Sequence, residues 1–403
     1  MNPVDPSSLA DAVALAAPPW DIDRRRPLRV ALVTSSYAYI ADGVALTLNR
    51  LVGYLLAKGV EVLVFTPMVA RPALAHQGNV VAAPSMALPL RPEYRLSFGL
   101  GAQGRRRLKA FDPDIIHIAV PDILGHSALM AGRRLGRPVV ASYHTRYETY
   151  LKFYGLDRLR GFLSRRIGDF YRACREVYAP SPSMIEELAA QGTGDNVHLW
   201  MRGVDTDRFN PAKRSKGWRD ARGIGPDEIV VVFVGRLVRE KRLDTLIDTF
   251  DRLRAARIAV RALIVGDGPE RARLEAALPD ALFTGYLTGE SLAEAYACAD
   301  VFTFPSDTET FGNVTLEAMA SGLPTVCADA TGSRSLVEPG VTGYLNGAAD
   351  GEAFFRDVAR VARDAALRAR MGVAARERSR RFSWDATMAG LLSRYEAVVA
   401  AAA

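Results

Sequence analysis

Cysteine is scarce in this chain of 403 residues: Cys174, Cys298 and Cys327 stand far apart, with no CxxC pair among them. That excludes a disulfide framework and the usual zinc-ligand spacings, and it fits a reducing compartment. Long apolar runs are missing too. The longest, such as Ile229 to Val234, fall far short of the ~20 residues that a membrane-spanning helix needs. A secretory leader is not expected. Leu9 to Trp20 is apolar, but Asp5 precedes it and Arg24, Arg25 and Arg26 follow it, which reverses the charge order of a signal peptide. Residues 1–26 therefore read as a loose tail. What is present is ordinary for a globular chain, 49% hydrophobic and 24% charged, and the length suggests two or three domains at ~150 residues each. The net charge of +7 is uneven: residues 1–200 hold 24 Lys+Arg against 17 Asp+Glu, whereas residues 201–403 hold 28 of each. A basic first half attracts an anionic partner, be it lipid headgroups, nucleic acid or an acidic substrate. It is equally compatible with a solvated arginine-rich surface.

Short apolar runs alternate with helical spacing. Leu28 to Thr34 reads as a buried strand. Val44, Leu48, Leu51, Val52 and Leu55 mark a helix ending at Lys58-Gly59, and Val60 to Thr66 is the next strand, so the opening is a βαβ unit. Asp114 to Ala119 and Val139 to Tyr143 continue the series around an Ala- and Arg-rich helix. A second series has strands at Glu228 to Val234, Ala259 to Val265, Asp300 to Phe304 and Thr325 to Ala328, with helices near 242–255, 270–277, 290–298 and 314–320. The fold expected is α/β, with two parallel-sheet, Rossmann-like domains facing across a cleft. We place them at 27–200 and 201–383, joined by a polar stretch from about Arg202 to Arg222. A helix at 384–403, with Met388, Leu391, Leu392 and Tyr395 on one face, can pack back on the first domain.

Three motifs follow strands of the second series. Gly235-Arg236-Leu237 with Glu240-Lys241 puts two cations beside a helix start, which suits a diphosphate; on these residues alone, two surface charges on a βα loop serve as well. Val265-Gly266-Asp267-Gly268-Pro269 is a glycine turn without the full GxGxxG of dinucleotide binding. Glu309 to Glu317 is the most specific. Gly312 and Asn313 can open a helix at Val314, with free N–H groups and the positive dipole end at its mouth. Glu309 then lies before the helix and Glu317 one turn inside. Two acceptors flanking an anion site suit a ligand charged in the middle and hydroxylated on both sides, the shape of a nucleotide sugar.

Together these motifs resemble the retaining GT-B glycosyltransferases of glycosyltransferase family four, over roughly residues 28–400. Gly203-Val204-Asp205 with Phe209 resembles the family's interdomain segment. The resemblance implies that Arg236 and Lys241 hold the donor diphosphate and that Glu317 binds the ribose. It gives the transferred sugar to Glu309 and the backbone N–H groups of Phe311, Gly312 and Asn313, with Val314 at the helix opening. The backbone around Leu287 meets the base. From the first domain, the Gly43 loop approaches the diphosphate and His144 stands beside the sugar. Many relatives carry Gly-Gly where this chain has Asp42-Gly43, which makes Asp42 an acceptor candidate, together with Arg146. Catalysis is assigned to His144, Arg236, Lys241 and Glu309. No metal is expected, since the cations and the helix dipole neutralise the diphosphate; Asp205-Thr206-Asp207 imitates a DxD motif but lies in the interdomain segment.

Within the family, Asp114-Ile115-Ile116-His117 and Ser142-Tyr143-His144-Thr145 resemble lipid-directed members, the sulfoquinovosyl-diacylglycerol synthases and GDP-mannose-dependent α-mannosyltransferases. The implied donor is GDP-mannose or a UDP-sugar, and the implied acceptor a membrane lipid. Tyr150 to Glu176 interleaves basic and apolar residues as a segment lying on an anionic membrane does; a core helix with a solvated basic face reads the same. The implied location is cytoplasmic, peripheral on the inner face of the membrane. A polysaccharide or soluble sugar is the alternative acceptor. A GT-B epimerase lacks the Glu309 to Glu317 pattern. Nucleic acid is not an expected partner, because no aromatic-basic RNA motif or recognition helix accompanies the basic charge.

Overall fold

A run such as Val230 to Val234 is apolar at every position, so it can face water on neither side and must be a central strand of a covered parallel sheet. The computed structural model describes residues 26–40, 42–88, 91–144 and 160–402. They form two α/β units: the first takes in the residues up to 144, 160–201 and 385–402, the second 202–384.

The first unit contains β1 (Arg29–Val33), β2 (Glu61–Thr66), β3 (Asn79–Ala82), the hairpin β4 (Ser85–Leu88) and β5 (Arg91–Ser97), then β6 (Ile115–Ile118), β7 (Val139–Ser142), β8 (Glu176–Ala179) and β9 (Val197–Leu199). All but the hairpin join one parallel sheet in the order β3-β2-β1-β6-β7-β8-β9. Side chains from one face of this sheet, including Val33, Phe65, Ile116, Ile118, Val139 and Val177, share a core with Leu108, Leu124, Leu129, Phe170, Tyr171 and Leu188. The helices Gly101–Phe111, Ile123–Leu135, Arg160–Arg172 and Pro182–Ala190 therefore cover a common face.

The C-terminal helix, Trp384–Ala400, belongs to this unit from Asp385 onward and buries Met388, Leu391, Tyr395 and Val398. Its contacts are polar as well as apolar. The Tyr395 hydroxyl bonds His117 Nδ1, and His117 Nε2 bonds the Ser142 hydroxyl, all within the buried interior. Arg394 pairs with Glu176 and lies 2.8 Å from His198 Nε2. Burial lowers the His198 pKa, which leaves a neutral ring able to accept from the guanidinium.

The second unit contains β10 (Ile229–Val234), β11 (Val260–Val265), β12 (Leu282–Gly285), β13 (Val301–Phe304), β14 (Thr325–Ala328) and β15 (Gly343–Asn346), parallel in the order β12-β11-β10-β13-β14-β15. Right-handed crossovers put the helix after β10 and the helix after β13 on opposite faces, because the chain steps outward from β10 in one direction and from β13 in the other.

Two expectations are corrected. The stretch from Arg202 to Arg222 is no linker but a folded part of the second unit. Arg202 and Trp218 are buried, and Arg219 threads inward to donate to the carbonyls of Cys298 (2.8 Å), Gly225 (2.9 Å) and Glu228 (2.5 Å). Charged residues read as solvated when their acceptors lie far away in sequence. Arg26, the last residue of the supposed tail, is held by Asp114 at 2.8 Å; residues 1–25 lie outside the described ones.

Tyr395→Phe keeps the ring and leaves a buried imidazole nitrogen unpaired, a loss of ~1–3 kcal/mol. The midpoint of urea unfolding should fall accordingly, and an unchanged midpoint would show that the bond to His117 carries no stability.

Candidate active site

Ligands of open parallel sheets sit beyond the carboxyl ends of the strands, where neighbouring connections diverge to opposite faces. In the second unit that point lies between β10 and β13. The loop after β10, residues 235–242, and the loop after β13, residues 305–312, flank it.

Glycine turns hold the neighbouring loops in a row. Gly235 N donates to Val265 O at 3.0 Å, Leu237 N to Asp267 O at 2.9 Å and Gly266 N to Gly285 O at 2.9 Å. At Gly266 (φ 139°) a Cβ would lie 1.9 Å from Gly235 O, and at Gly268 (φ 159°) 2.4 Å from Leu237 O. Both glycines are therefore required by loop-to-loop packing, a reason that the turn sequence alone does not disclose. Leu287 follows directly on this row, half-buried beside the exposed Tyr286.

Across the divergence point the two loops meet through charge. Lys241 Nζ pairs with Glu309 Oε1, each side chain less than one-fifth exposed. The Lys241 ammonium also lies 5.4 Å from the centre of the Phe304 ring, within cation–π range. Next to this pair, Arg242 places Nη2 2.6 Å and Nε 3.2 Å from Asp307 Oδ2. Arg236 is exposed on the same loop.

The helix after β13 opens at Asn313, one residue earlier than expected, and runs to Ala320, with Gly312 (φ 96°) as its left-handed cap. A non-glycine residue in that region costs ~1–2 kcal/mol. Phe311, beside this cap, turns its side chain into the fold. It is buried, edge-on to Phe382 at 6.1 Å, and its backbone packs so closely on Gly332 that a Cβ there would fall 2.5 Å away. Asn313 and Val314 are half-buried. Glu317, one turn in, accepts from the Tyr296 hydroxyl at 3.2 Å, and burial pushes its pKa up to about 7.

In the first unit the corresponding divergence lies between β1 and β6. Asp42 caps the helix Gly43–Ala57, accepting from Ala45 N at 2.8 Å and from the Ser36 hydroxyl at 2.9 Å. Gly43 is thus the first helical residue. Asp122, after β6, was not singled out in the sequence. It bonds the Ser35 hydroxyl, accepts from Gly125 N at 2.8 Å, and burial raises its pKa. A lone aspartate before a helix offers no signal beyond capping. His144 follows β7 with its ring 5.7 Å from that of Trp200, nearly perpendicular. Arg146 lies outside the described residues, as do Tyr150 to Leu159 of the basic segment. In the described remainder, Phe170 and Tyr171 are core residues and Ile167 packs against them, so the apolar side of Arg160–Arg172 is largely spent on the fold, while Phe162 is exposed. Asp205 Oδ1 accepts from Arg208 N at 3.0 Å, and among the described residues no three or more His, Cys, Asp or Glu are grouped to hold a metal ion.

Comparison with known proteins settles the ancestry. Residues 41–208 match the family model described as "Glycosyltransferase Family 4", and residues 228–364 that described as "Glycosyl transferases group 1". A GDP-mannose-dependent alpha-mannosyltransferase of Mycobacterium tuberculosis is 39% identical over 92% of this chain and 97% of its own length. The chain is a family 4 glycosyltransferase. Sulfoquinovosyl transferase SQD2 of Arabidopsis thaliana is 35% identical to it over 90% of this chain and 72% of the relative. Among solved structures, sucrose-phosphate synthase from Thermosynechococcus elongatus superposes with a TM-score of 0.78 at 22% identity, covering 93% of this chain and all of that one. The family 4 glycosyltransferase has the GT-B class of α/β fold and uses a nucleotide-sugar donor.

Because the Glu317 pKa is raised from its ordinary value of 4.5 to about 7, the folded state binds more protons than the unfolded one between those values. Stability should therefore fall as pH rises from about 4.5 to 7, by at most ~1.4 kcal/mol per unit. Glu317→Gln should flatten that part of the pH profile in chemical denaturation; an unaltered slope would exclude Glu317 as its source.

Proposed function

We propose that this glycosyltransferase transfers a sugar, with retention of configuration, from GDP-mannose or a UDP-sugar to a hydroxyl of a membrane lipid. The observation that carries the reading is the Lys241–Glu309 pair spanning the divergence of β10 and β13, in a chain whose curated relatives include GDP-mannose-dependent enzymes. Lys241 and Arg236 take the diphosphate. Glu309, released from Lys241, receives hydroxyls of the sugar, and Glu317 receives those of the ribose. Asn313 Oδ1, enclosed at the helix mouth with no hydrogen-bond donor among the described residues, is a further acceptor for a hydroxylated ligand. As the bond from the anomeric carbon to the diphosphate breaks, the cations and the helix opening at Asn313 stabilise the departing charge. The acceptor oxygen bonds the same carbon from the departing side, and its proton passes to a diphosphate oxygen. No metal ion is assigned to these steps, because the two cations and the helix supply the positive charge.

The lipid acceptor draws support from a relative named for a glycolipid, the alpha-monoglucosyldiacylglycerol synthase of Acholeplasma laidlawii, and from the first unit's surface. Gly101–Phe111 carries Arg105, Arg106, Arg107 and Lys109, all exposed, and no acidic residue. Ile123–Leu135 adds Arg133 and Arg134 with Ile123 and Met130 exposed, and Arg160–Arg172 adds Arg165, Arg166 and Phe162. These helices cover one sheet face, so their outward sides form one basic surface studded with apolar side chains, suited to an anionic bilayer. No helix among the described residues is long and apolar enough to cross one. The reading places the enzyme on the cytoplasmic face of the membrane.

In a thermal-shift panel, GDP or UDP should stabilise the protein by ~2.7 kcal/mol at a hundredfold excess over the dissociation constant, with or without EDTA. Lys241→Ala should lower turnover roughly 10²-fold or more. A protein indifferent to both nucleotides, or a variant with full turnover, would remove the assignment. Flotation with vesicles of anionic lipid should carry the protein upward at moderate salt, and neutral vesicles should not; equal indifference to both would exclude the lipid surface.

A further inference from the structure

Arg242 occupies a position that is unfavourable for arginine on two counts. Its backbone is left-handed (φ 53°, ψ 46°), a region that glycine enters freely and other residues rarely. It is also the residue from which the helix Leu243–Ala255 starts, its carbonyl taking Thr245 N at 3.0 Å, and its own side chain caps nothing. A cation there faces the positive end of the helix dipole. Glycine, serine or aspartate would avoid one or both penalties.

What compensates lies across the divergence point. Arg242 directs Nε and Nη2 to one oxygen of Asp307, at 3.2 and 2.6 Å, and both side chains are less than one-third exposed. Asp307 sits in a braced stretch: its neighbours Ser306 and Thr308 are buried, their hydroxyls 3.2 Å apart. Two ion pairs thus cross from residues 241 and 242 to residues 309 and 307. Lys241–Glu309 is the pair that a donor must open, since the diphosphate claims the ammonium.

We propose that Arg242 and Asp307 form a positioning clamp, which holds the loops after β10 and β13 at fixed spacing while Lys241 and Glu309 exchange each other for the donor. The proposal rests on the donor-site reading above. Neither residue touches the reacting atoms; the pair acts through Lys241 and Glu309.

The test compares wild type, Arg242→Gly, Arg242→Lys, Asp307→Asn and the double variant R242G/D307N. Thermal melting is measured alongside titration with GDP and UDP and steady-state donor kinetics. Arg242→Gly should melt at or above the wild-type temperature, because glycine relieves the backbone, yet bind nucleotide at least tenfold more weakly with a raised donor KM. Arg242→Lys should recover part of that loss. Asp307→Asn should match Arg242→Gly, and the double variant should be no worse than either single one, the signature of a shared interaction. Wild-type affinity in Arg242→Gly or Asp307→Asn, or losses that simply add, would overturn the clamp. Should Asp307→Asn fail to fold, the Gly and Lys variants at 242 decide alone. A wild-type protein that binds neither nucleotide overturns the donor site itself and the clamp with it, an outcome distinct from variants that bind as wild type does.

Discussion

Parallel strands joined by right-handed crossovers leave one place in a sheet where adjacent connections must part, and the charged loops of the second unit are arranged around that constraint. Between β10 and β13 the backbone offers no strand or helix to close the gap. Side chains of opposite charge close it instead, in a setting half-withdrawn from water where such pairs are screened less than at an open surface. The charges hold the loops together and are also the groups that a diphosphate and a polyol would draw apart. In the proposed donor site, the stability of these loops and the affinity for the ligand therefore draw on the same atoms.

The two units solve this constraint differently. In the second, the loops are stitched by the backbone hydrogen bonds of Gly235, Leu237 and Gly266 and bridged by long cationic side chains. In the first, short residues do the bridging, Asp122 with Ser35, while Asp42 with Ser36 braces the loop after β1 from within. Short polar side chains that cap helices are committed to the protein's own amides. Among its described residues, the first unit carries basic charge on the outer faces of its helices, as at Arg105, Arg106, Arg107 and Lys109.

How much of this is legible in the amino-acid order depends on whether the deciding partner is near in sequence. The central strands β1, β2, β6, β7, β10, β11, β13 and β14 announce themselves as largely apolar runs, because burial on both faces leaves little room for polar residues; His117 of β6 and Ser142 of β7 find a partner inside, in each other. The edge and near-edge strands β3, β8, β9, β12 and β15 are short and mix in Asn, Glu, His, Thr or Gly, so no period marks them. The Glu309 to Glu317 motif could be read as a helix opening, whereas the burial of Phe311 could not, since Gly332 and Phe382 supply it from afar. The stretch from Arg202 to Arg222 read as a linker for the same reason, since Arg219 finds its acceptor at Cys298 far along the chain. The Arg242–Asp307 contact spans 65 residues and has no local signature, apart from an arginine standing where a helix would rather begin with something small.

The return of the last helix to the first unit has a consequence for how the protein is made. Residues 385–402 supply Tyr395 to His117 and Arg394 to Glu176, deep in a unit whose other strands leave the ribosome far earlier. The unit synthesised first is thus the last to be completed. Until residues 385–402 emerge, the part of the sheet around His117 and Tyr178 lacks the cover that Tyr395 gives it, and a nascent chain halted before Trp384 would display that patch to chaperones.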